Sequence, residues 1–343
     1  VAQIVLTDDG IVFDGRVADA APLGGAESAF VGLAEALARR GHEVLVLNRC
    51  VAPLDRDGVR WRPLGETAVP DAPDLYIGNR GHRLIGLAPR ARRRVFWIHN
   101  PARYLLKPRY LARIAWWRPV IVFSGAYHAS TYPSWAPSGG RRVIPYGVPD
   151  LFRHATERDP PGPRAIFTSS PLRSLDWLLD LWVERIRPAV PGAELHVFSG
   201  TATYGALGAA KSGEMMPVLE RAAALAGSGV ILRGAVPKRH LVAELAASRV
   251  YLYRGDENET FCMSAAEAQA MGVPGVAQPI GSLPERVVDG VTGFVMETRE
   301  RFAGSAVRLL TDDAVWRQQH RASLATQRRY GWDDAAAEFE RLM

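Results

Sequence analysis

The chain reads as α/β, with two doubly wound parallel-sheet domains. Three observations lead there. Short apolar runs recur through both halves and alternate with amphipathic helical stretches, which is the pattern of βαβ units. At 343 residues the chain suits two domains of ordinary size. The best linker, polar and proline-rich, lies near the middle, from Pro149 to Pro163.

Composition narrows the class. With 48% hydrophobic and 23% charged residues, this is the profile of a water-soluble globular chain. No apolar run reaches the ~18–20 residues of a membrane span. Val1 to Leu6 is strand-like and lacks the basic region of a signal peptide. Cys50 and Cys262 are too few and too far apart for a disulfide framework, so a cytoplasmic location is expected. The net charge of +6 invites an anionic partner. Only Lys107, Lys211 and Lys238 are lysines, and there is no recognition helix, aromatic RNA-binding motif or zinc-ligand spacing. Nucleic acid is therefore not expected, and membrane contact is expected to be peripheral at most.

The first half opens with a strand, Ile4 to Leu6, and a loop rich in Asp and Gly that reaches Gly24-Gly25-Ala26-Glu27. A helix from about Ser28 to Arg40 carries Phe30, Leu33, Ala34 and Leu37 on one face, and Gly41 caps it. A strand, Val44 to Leu47, completes a βαβ unit. Dinucleotide binding would need Gly-x-Gly-x-x-Gly and an acid ending the second strand. Neither is present, and that strand runs into Asn48. Further strands are expected at Leu75–Ile77, Val95–Ile98, Val120–Phe123 and Val143–Val148. Several end in polar or small residues, notably His99 and Ser124, where parallel sheets place their sites. Arg90, Arg92, Arg93 and Arg94 read as a solvated loop, with contact to an anionic acceptor or lipid headgroups as the alternative, and Trp116-Trp117 near Arg113 and Arg118 as core packing, with an acceptor groove as the alternative.

The second half opens with a strand, Ala165 to Thr168, then Ser169-Ser170-Pro171-Leu172-Arg173-Ser174. The helix that follows has Leu175, Leu178, Leu179 and Trp182 on one face. Strands Leu195–Phe198 and Val230–Leu232 come next, the latter running into Arg233-Gly234-Ala235-Val236-Pro237. The most informative stretch is Arg254 to Gly275. A strand, Val250 to Tyr253, stops at a charged loop holding Glu259. A helix begins at Met263, carries Glu267, and ends at Gly272 and Pro274, after which Val273–Ala277 forms a strand. The amides of Phe261, Cys262, Met263 and Ser264 lie at that helix start. An anion there gains roughly 0.3–1 kcal/mol from the dipole, and up to ~2 when partly buried. Arg173 can add paired hydrogen bonds to phosphate oxygens. A phosphate seat with a carboxylate on either side has the layout of a sugar nucleotide. The tail is helical, broken at Tyr330-Gly331, and ends in a helix from Asp333 to Leu342.

Glu259-x7-Glu267, followed by Ala270-Met271-Gly272-Val273-Pro274, resembles the signature of the retaining glycosyltransferases of family 4, which have the GT-B fold. The resemblance implies two Rossmann-like domains facing across a cleft. Residues 1–152 would bind the acceptor, 153–325 the donor, and a helix within 326–343 would cross back to the first domain. It implies that Glu259 touches the donor sugar and Glu267 the ribose. Gly24 and Gly25 would lie beside the diphosphate, as would Ser169, Ser170 and Arg173. Gly234 and Val236 would meet the base edge through backbone, and the amides from Phe261 to Ser264 would bind phosphate. His99, Glu259 and Arg173 are the expected catalytic residues. The chain departs from the family at Thr260 and Cys262, where glycines are usual and side chains are expected to crowd the approach. Tyr146 replaces a common asparagine, and one of two expected phosphate-binding cations is missing.

The activity implied is retaining, metal-independent transfer from a nucleoside-diphosphate sugar, UDP or GDP favoured, to a hydroxyl, with no cofactor. An oligosaccharide antibiotic precursor of the orthosomycin type is the expected acceptor, with a cell-envelope glycolipid or polysaccharide as the alternative. A nucleotide-sugar epimerase and a non-catalytic nucleotide-sugar binding protein are the readings from other classes.

Overall fold

The computed structural model describes residues 1–16 and 21–343, with 203–207 by backbone alone, and it resolves into two bodies, each built on its own sheet. Residues 17–20 of the Asp- and Gly-rich loop lie outside the described residues.

The first body comprises residues 1–16, Ala26–Gly147 and Gly331–Met343. Its eight strands are β1 (Gln3–Asp8), β2 (Glu43–Asn48), β3 (Leu54–Arg56), β4 (Val59–Pro63), β5 (Leu75–Asn79), β6 (Arg93–Trp97), β7 (Val120–Phe123) and β8 (Gly140–Val143). The spatial order is β3-β4-β2-β1-β5-β6-β7-β8, parallel throughout except for β3 against β4. β5 and β7 are buried along their whole length, as parallel strands covered on both faces must be. Helix α1 (Gly25–Arg39) buries Phe30, Leu33, Ala34 and Leu37, and Gly41 follows in the left-handed region at φ 90°. Helix α2 (Pro108–Trp117) starts on proline, whose fixed φ suits a first helical position.

Two expectations need correction. The hairpin of β3 and β4 was not foreseen, although Asp57 (φ 51°) and Gly58 (φ 76°) supply the paired positive φ angles of a two-residue turn. The last strand of this sheet ends at Val143, where the sequence reading began it. Pro145 has no N–H for a ladder, so an extended segment replaces pairing beyond that point.

The C-terminal helix, Trp332–Glu340, packs into this same body. Trp332 stacks on Tyr146 at 6.1 Å, and Phe339 meets Trp97 edge-on at 5.4 Å. Two glycines make the seat. A Cβ on Gly32 would lie 2.6 Å from the Trp332 ring, and one on Gly147 would overlap the Trp332 backbone.

The second body comprises residues 21–25 and Val148–Tyr330. Its strands are β9 (Arg164–Phe167), β10 (Glu194–Val197), β11 (Val230–Leu232), β12 (Val250–Leu252), β13 (Gly275–Ala277) and β14 (Gly293–Val295). They are parallel, in the order β11-β10-β9-β12-β13-β14. Numbered from its own first strand, that is the Rossmann order 3-2-1-4-5-6, and the first body repeats it once the β3 hairpin is set aside. The strand order therefore reverses between β1 and β5 in one sheet and between β9 and β12 in the other. Ligands of such sheets bind beyond the strand ends at these switch points.

Replacing Trp332 with Ala should cost about 3–5 kcal/mol, because a large buried ring leaves a cavity. Gly147→Ala should lower the calorimetric melting temperature in the same direction. An unchanged melting temperature in both would show that the helix adds nothing to the first body.

Candidate functional site

At the second switch point, the loops after β9 and β12 meet. Arg173, in the loop after β9, pairs its Nη1 with Oε1 of Glu259, in the loop after β12. The Tyr253 hydroxyl donates to the same Glu259 oxygen at 3.1 Å. The Glu259 loop is pinned from behind: Glu259 N–H donates to the Asp256 carbonyl at 3.0 Å, and Ser282 N–H donates to the Glu259 carbonyl at 3.0 Å. Gly281, at φ 61°, allows this approach, since a Cβ there would lie 2.5 Å from the Asp256 oxygen and 2.8 Å from the Glu259 oxygen. Ser169 is tied inward, its carbonyl accepting from Ser199 Oγ at 2.6 Å, and Ser170 is buried.

Helix α3 (Lys238–Ala246) follows the segment from Arg233 to Pro237, in which Gly234 has φ 75° and Val236 is half-buried. Helix α4 (Met263–Ala270) begins where the sequence reading put it, and its N-cap, Cys262, sits in the left-handed region at φ 63°. That conformation explains why a glycine would serve here, since a side chain in it costs roughly 1–2 kcal/mol. The crowding expected from Cys262 does not occur. Its thiol is buried, 3.6 Å from Ser264 Oγ, and makes no cap hydrogen bond to the helix. Burial pushes this thiol above the ordinary cysteine range, so it stays neutral. Among the described residues the amides of Met263 and Ser264 have no protein acceptor; the first helical bond runs from Ala266 N–H to the Cys262 carbonyl. The Phe261 ring is covered by the Arg286 guanidinium at 4.3 Å.

Glu267, one turn further on, is 4% exposed, and its Oε1 is held by the Lys238 ammonium. Burial raises its pKa, and the charge and hydrogen bond of Lys238 oppose the rise. Lys238 was named in the sequence only as a count. It answers the shortage of cations noted there, reaching this site from α3 while Arg173 reaches it from the β9 loop.

Of the two glycines expected beside the diphosphate, neither needs a positive φ. Gly24 is buried, and a Cβ on Gly25 would come 3.9 Å from Met263 Cβ, so Gly25 lies at the helix start.

At the first switch point, β1 ends in Asp8 and β5 in Asn79, both fully buried. His99 follows β6. Its Nδ1 meets the Tyr146 hydroxyl and its Nε2 lies 2.5 Å from Asn79 Oδ1. Asn79 Nδ2 donates to Asp8 Oδ2 at 2.5 Å, so Asn79 Oδ1 must accept. The proton of His99 therefore sits on Nε2, and Nδ1 accepts from Tyr146. Arg80 ends the chain of contacts, 3.0 Å from Asp8 Oδ2 and 2.8 Å from Glu27 Oε1. Burial, with the positive charge of Arg80, holds the His99 pKa well below the ordinary value. His99, expected to be catalytic, has both ring nitrogens engaged within the protein. The most exposed member of the network is Arg80, with a fifth of its side chain in solvent.

Asp8, Asn79, Arg80 and Glu27 were not singled out in the sequence as site residues. The signal was available, since polar residues end β1 and β5 where apolar runs stop. A second signal was also passed over. Thirteen of the 42 Lys and Arg, and none of the 36 Asp and Glu, fall between Leu75 and Pro149. Nor is the expected arginine loop uniformly solvated. Arg94 stacks on Trp117 at 4.6 Å and donates to the Ala88 carbonyl at 2.6 Å. Trp116, expected in the core, is 80% exposed.

Two Rossmann-ordered sheets, each with its chemistry at the switch point, define a GT-B fold. Residues 163–312 match the family model described as Glycosyl transferases group 1. Curated relatives include the D-inositol 3-phosphate glycosyltransferases of Xylanimonas cellulosilytica, 42% identical over 82 residues (23% of this chain, 20% of that one), and of Streptomyces avermitilis, 40% identical over 82 residues (23% and 18%). The chain therefore matches only about a fifth of those relatives' length. Among solved structures, Anabaena HepE in complex with UDP and glucose superposes with a TM-score of 0.74 at 14% identity, covering 99% of both chains. Sucrose-phosphate synthase from Thermosynechococcus elongatus gives 0.73 at 15% identity, covering 99% and 98%. Among the described residues, no group of three or more His, Cys, Asp or Glu is arranged to hold a metal ion, and no helix is long and apolar enough to cross a membrane.

The buried histidines make stability depend on acid. Beside His99, His128 is pushed down to about 4 by burial, a hydrogen bond to the Asn100 carbonyl only partly offsetting it. The unfolded chain takes up these protons near pH 6.5, so stability falls as pH drops from there towards 4. His128 alone should remove about 2 kcal/mol between pH 7 and pH 5. Melting temperatures across that range should fall less steeply for His128→Gln than for the native chain. Equal slopes would mean the imidazole already protonates in the fold.

Proposed function

We propose that this protein is a glycosyltransferase of the retaining, metal-independent kind, moving a sugar from a nucleoside-diphosphate sugar to a hydroxyl acceptor. The observation that carries the reading is the pair of unaccepted amides at Met263 and Ser264, set between two carboxylates that each have one oxygen tied to a cation. The amides and Arg173 would stabilise the negative charge that grows on the leaving diphosphate, the work a metal does elsewhere. Arg173 keeps further N–H groups for phosphate while Nη1 holds Glu259. Glu259 keeps its second oxygen for a sugar hydroxyl, and Glu267 keeps its second for the ribose. The segment through Gly234 and Val236 would take the base through backbone groups.

UDP is the favoured nucleotide because HepE, of the same fold, is described in complexes with UDP-glucose and with UDP and glucose; GDP is the second choice. We assign donor binding to the second body and acceptor binding to the first. There Arg80 and Glu27 would meet acceptor hydroxyls, with His99 holding Asn79 and Tyr146 in place rather than touching the sugar. An oligosaccharide antibiotic precursor or an envelope glycolipid fits a hydroxylated acceptor equally. The name of the curated relatives adds a phosphorylated cyclitol, and the acid-free basic stretch would suit its charge. Both cysteines are free, in keeping with a reducing cytoplasm.

A thermal-shift screen of UDP, GDP and ADP sugars tests the donor site, since a ligand at 100 times its Kd adds about 2.7 kcal/mol to the fold. Glu259→Ala should lower transfer by roughly 10- to 100-fold, the worth of a hydrogen bond to a charged group, with nucleotide binding retained. Glu267→Ala should weaken nucleotide binding by a similar factor. Absence of any shift, or full activity in both variants, would remove the assignment.

A further inference from the structure

The first body carries a second surface at the opposite edge of its sheet from Asp8 and Asn79. Strands β6, β7 and β8 are parallel and begin there. Arg92 and Arg93 lie at the start of β6, Arg118 just before β7, and Arg142 within β8, all exposed. At the chain's average frequency about eight acids would fall between Leu75 and Pro149, and there are none. A base composition that favours arginine raises arginine everywhere; it does not strip aspartate and glutamate from one stretch. The acids nearest this edge in sequence are engaged: Asp74 accepts the Gln3 N–H at 2.9 Å, and Asp71 pairs with Arg90.

Two tryptophans stand out from the same edge. Trp116 is 80% exposed, on an α2 face that also presents Arg109, Ala112 and Arg113 to solvent at helical spacing. Trp135 is 71% exposed on the loop that leads into β8 from the short helix Ala126–Ser130. That loop is braced. Arg141 stacks on Tyr132 at 4.7 Å and donates to the carbonyls of Tyr132 (3.1 Å), Pro133 (2.7 Å), Ser134 (3.1 Å) and Ala136 (2.8 Å). A guanidinium wrapped by four carbonyls holds the indole of Trp135 in water, at a cost that nothing inside the body recovers. The two sites are neighbours: Gly139 N–H donates to the Pro119 carbonyl at 2.8 Å, and Arg94 Nη1 reaches the Trp117 carbonyl at 3.4 Å.

We propose that this edge docks on an anionic lipid surface. Charge complementarity selects an anionic partner. The two exposed indoles select a membrane interface over nucleic acid, because an indole settles at headgroup depth with its ring in the acyl boundary and its N–H in the wet layer. Arginines around it gain further from the negative surface potential.

The test is co-sedimentation of the full chain with phosphatidylcholine vesicles, with and without phosphatidylglycerol. Binding is expected only with phosphatidylglycerol, accompanied by a blue shift of tryptophan emission and weakened by 0.5 M salt. Trp116→Ser with Trp135→Ser, and separately Arg113→Glu with Arg118→Glu, should each lower the partition coefficient about tenfold or more, with melting temperature unchanged because all four side chains are exposed. Failure to bind phosphatidylglycerol vesicles, equal partition in the variants, or tighter binding to duplex DNA than to vesicles at the same salt would each overturn the proposal.

Discussion

Cys262, held in the left-handed region, sets the turn by which the chain enters the helix at Met263. A helix entered through an ordinary cap side chain spends its first amides on that side chain. Here the entering residue makes no side-chain hydrogen bond to the helix, its sulfur lying 3.6 Å from Ser264 Oγ. Among the described residues, the amides of Met263 and Ser264 are left without a protein acceptor. The strain, about 1–2 kcal/mol, is held by burial of Phe261 and Cys262 on either side of the turn. Gly281 serves the same end, since the Glu259 loop can close over it only where no Cβ intrudes. The geometry of the turn and of the Glu259 loop is thus fixed by packing.

The buried charges obey one rule in both bodies. An isolated carboxylate taken from water costs several kcal/mol, and a buried acid without a partner protonates instead. Glu267 would do so without Lys238, because burial alone raises its pKa. Glu259 has Arg173, and Asp8 has Arg80, which also serves Glu27. In each pair the cation sits at one carboxylate oxygen. Such pairs add little net stability. Their physical effect is to offset part of the cost of taking a carboxylate out of water.

The second body was more legible in the sequence than the first, for reasons visible in particular residues. The helix at Met263 was legible because its signals are local: acids, amides and glycine punctuation lie within one contiguous stretch. Strands β11, β12 and β13 sit within two residues of their expected bounds, since short apolar runs ended by Gly, Arg or Pro admit few alternatives. The first body's network is non-local. Asp8 and Asn79 are 71 positions apart, and His99 meets Tyr146 across 47, so only the sheet order brings them together. Strand order follows from crossover connections, not from periodicity, and periodicity was what the sequence offered. Lys238 escaped notice for the same reason, its partner lying 29 residues away on another helix. Trp116 was misplaced because burial of an aromatic is a statistical habit, and an acid-free arginine stretch around it is evidence against that habit.

The tautomer of His99 carries the argument one step further. Because Asp8 can only accept, Asn79 must donate to it, and that choice propagates through Asn79 Oδ1 to His99 Nε2 and on to Tyr146. Reversing any one link would set two lone pairs or two protons against each other in a dry interior, a penalty of several kcal/mol. The imidazole is therefore held at both ring nitrogens, and Arg80 and Glu27 lie at the open end of the chain of contacts. That division, rigid behind and charged in front, matches the second body, where Tyr253 braces Glu259 from within while Arg173 faces outward. Each sheet presents its chemistry as a cation–carboxylate pair backed by a buried hydroxyl or amide, and the shared strand order sets each pair beyond the strand where the sheet reverses.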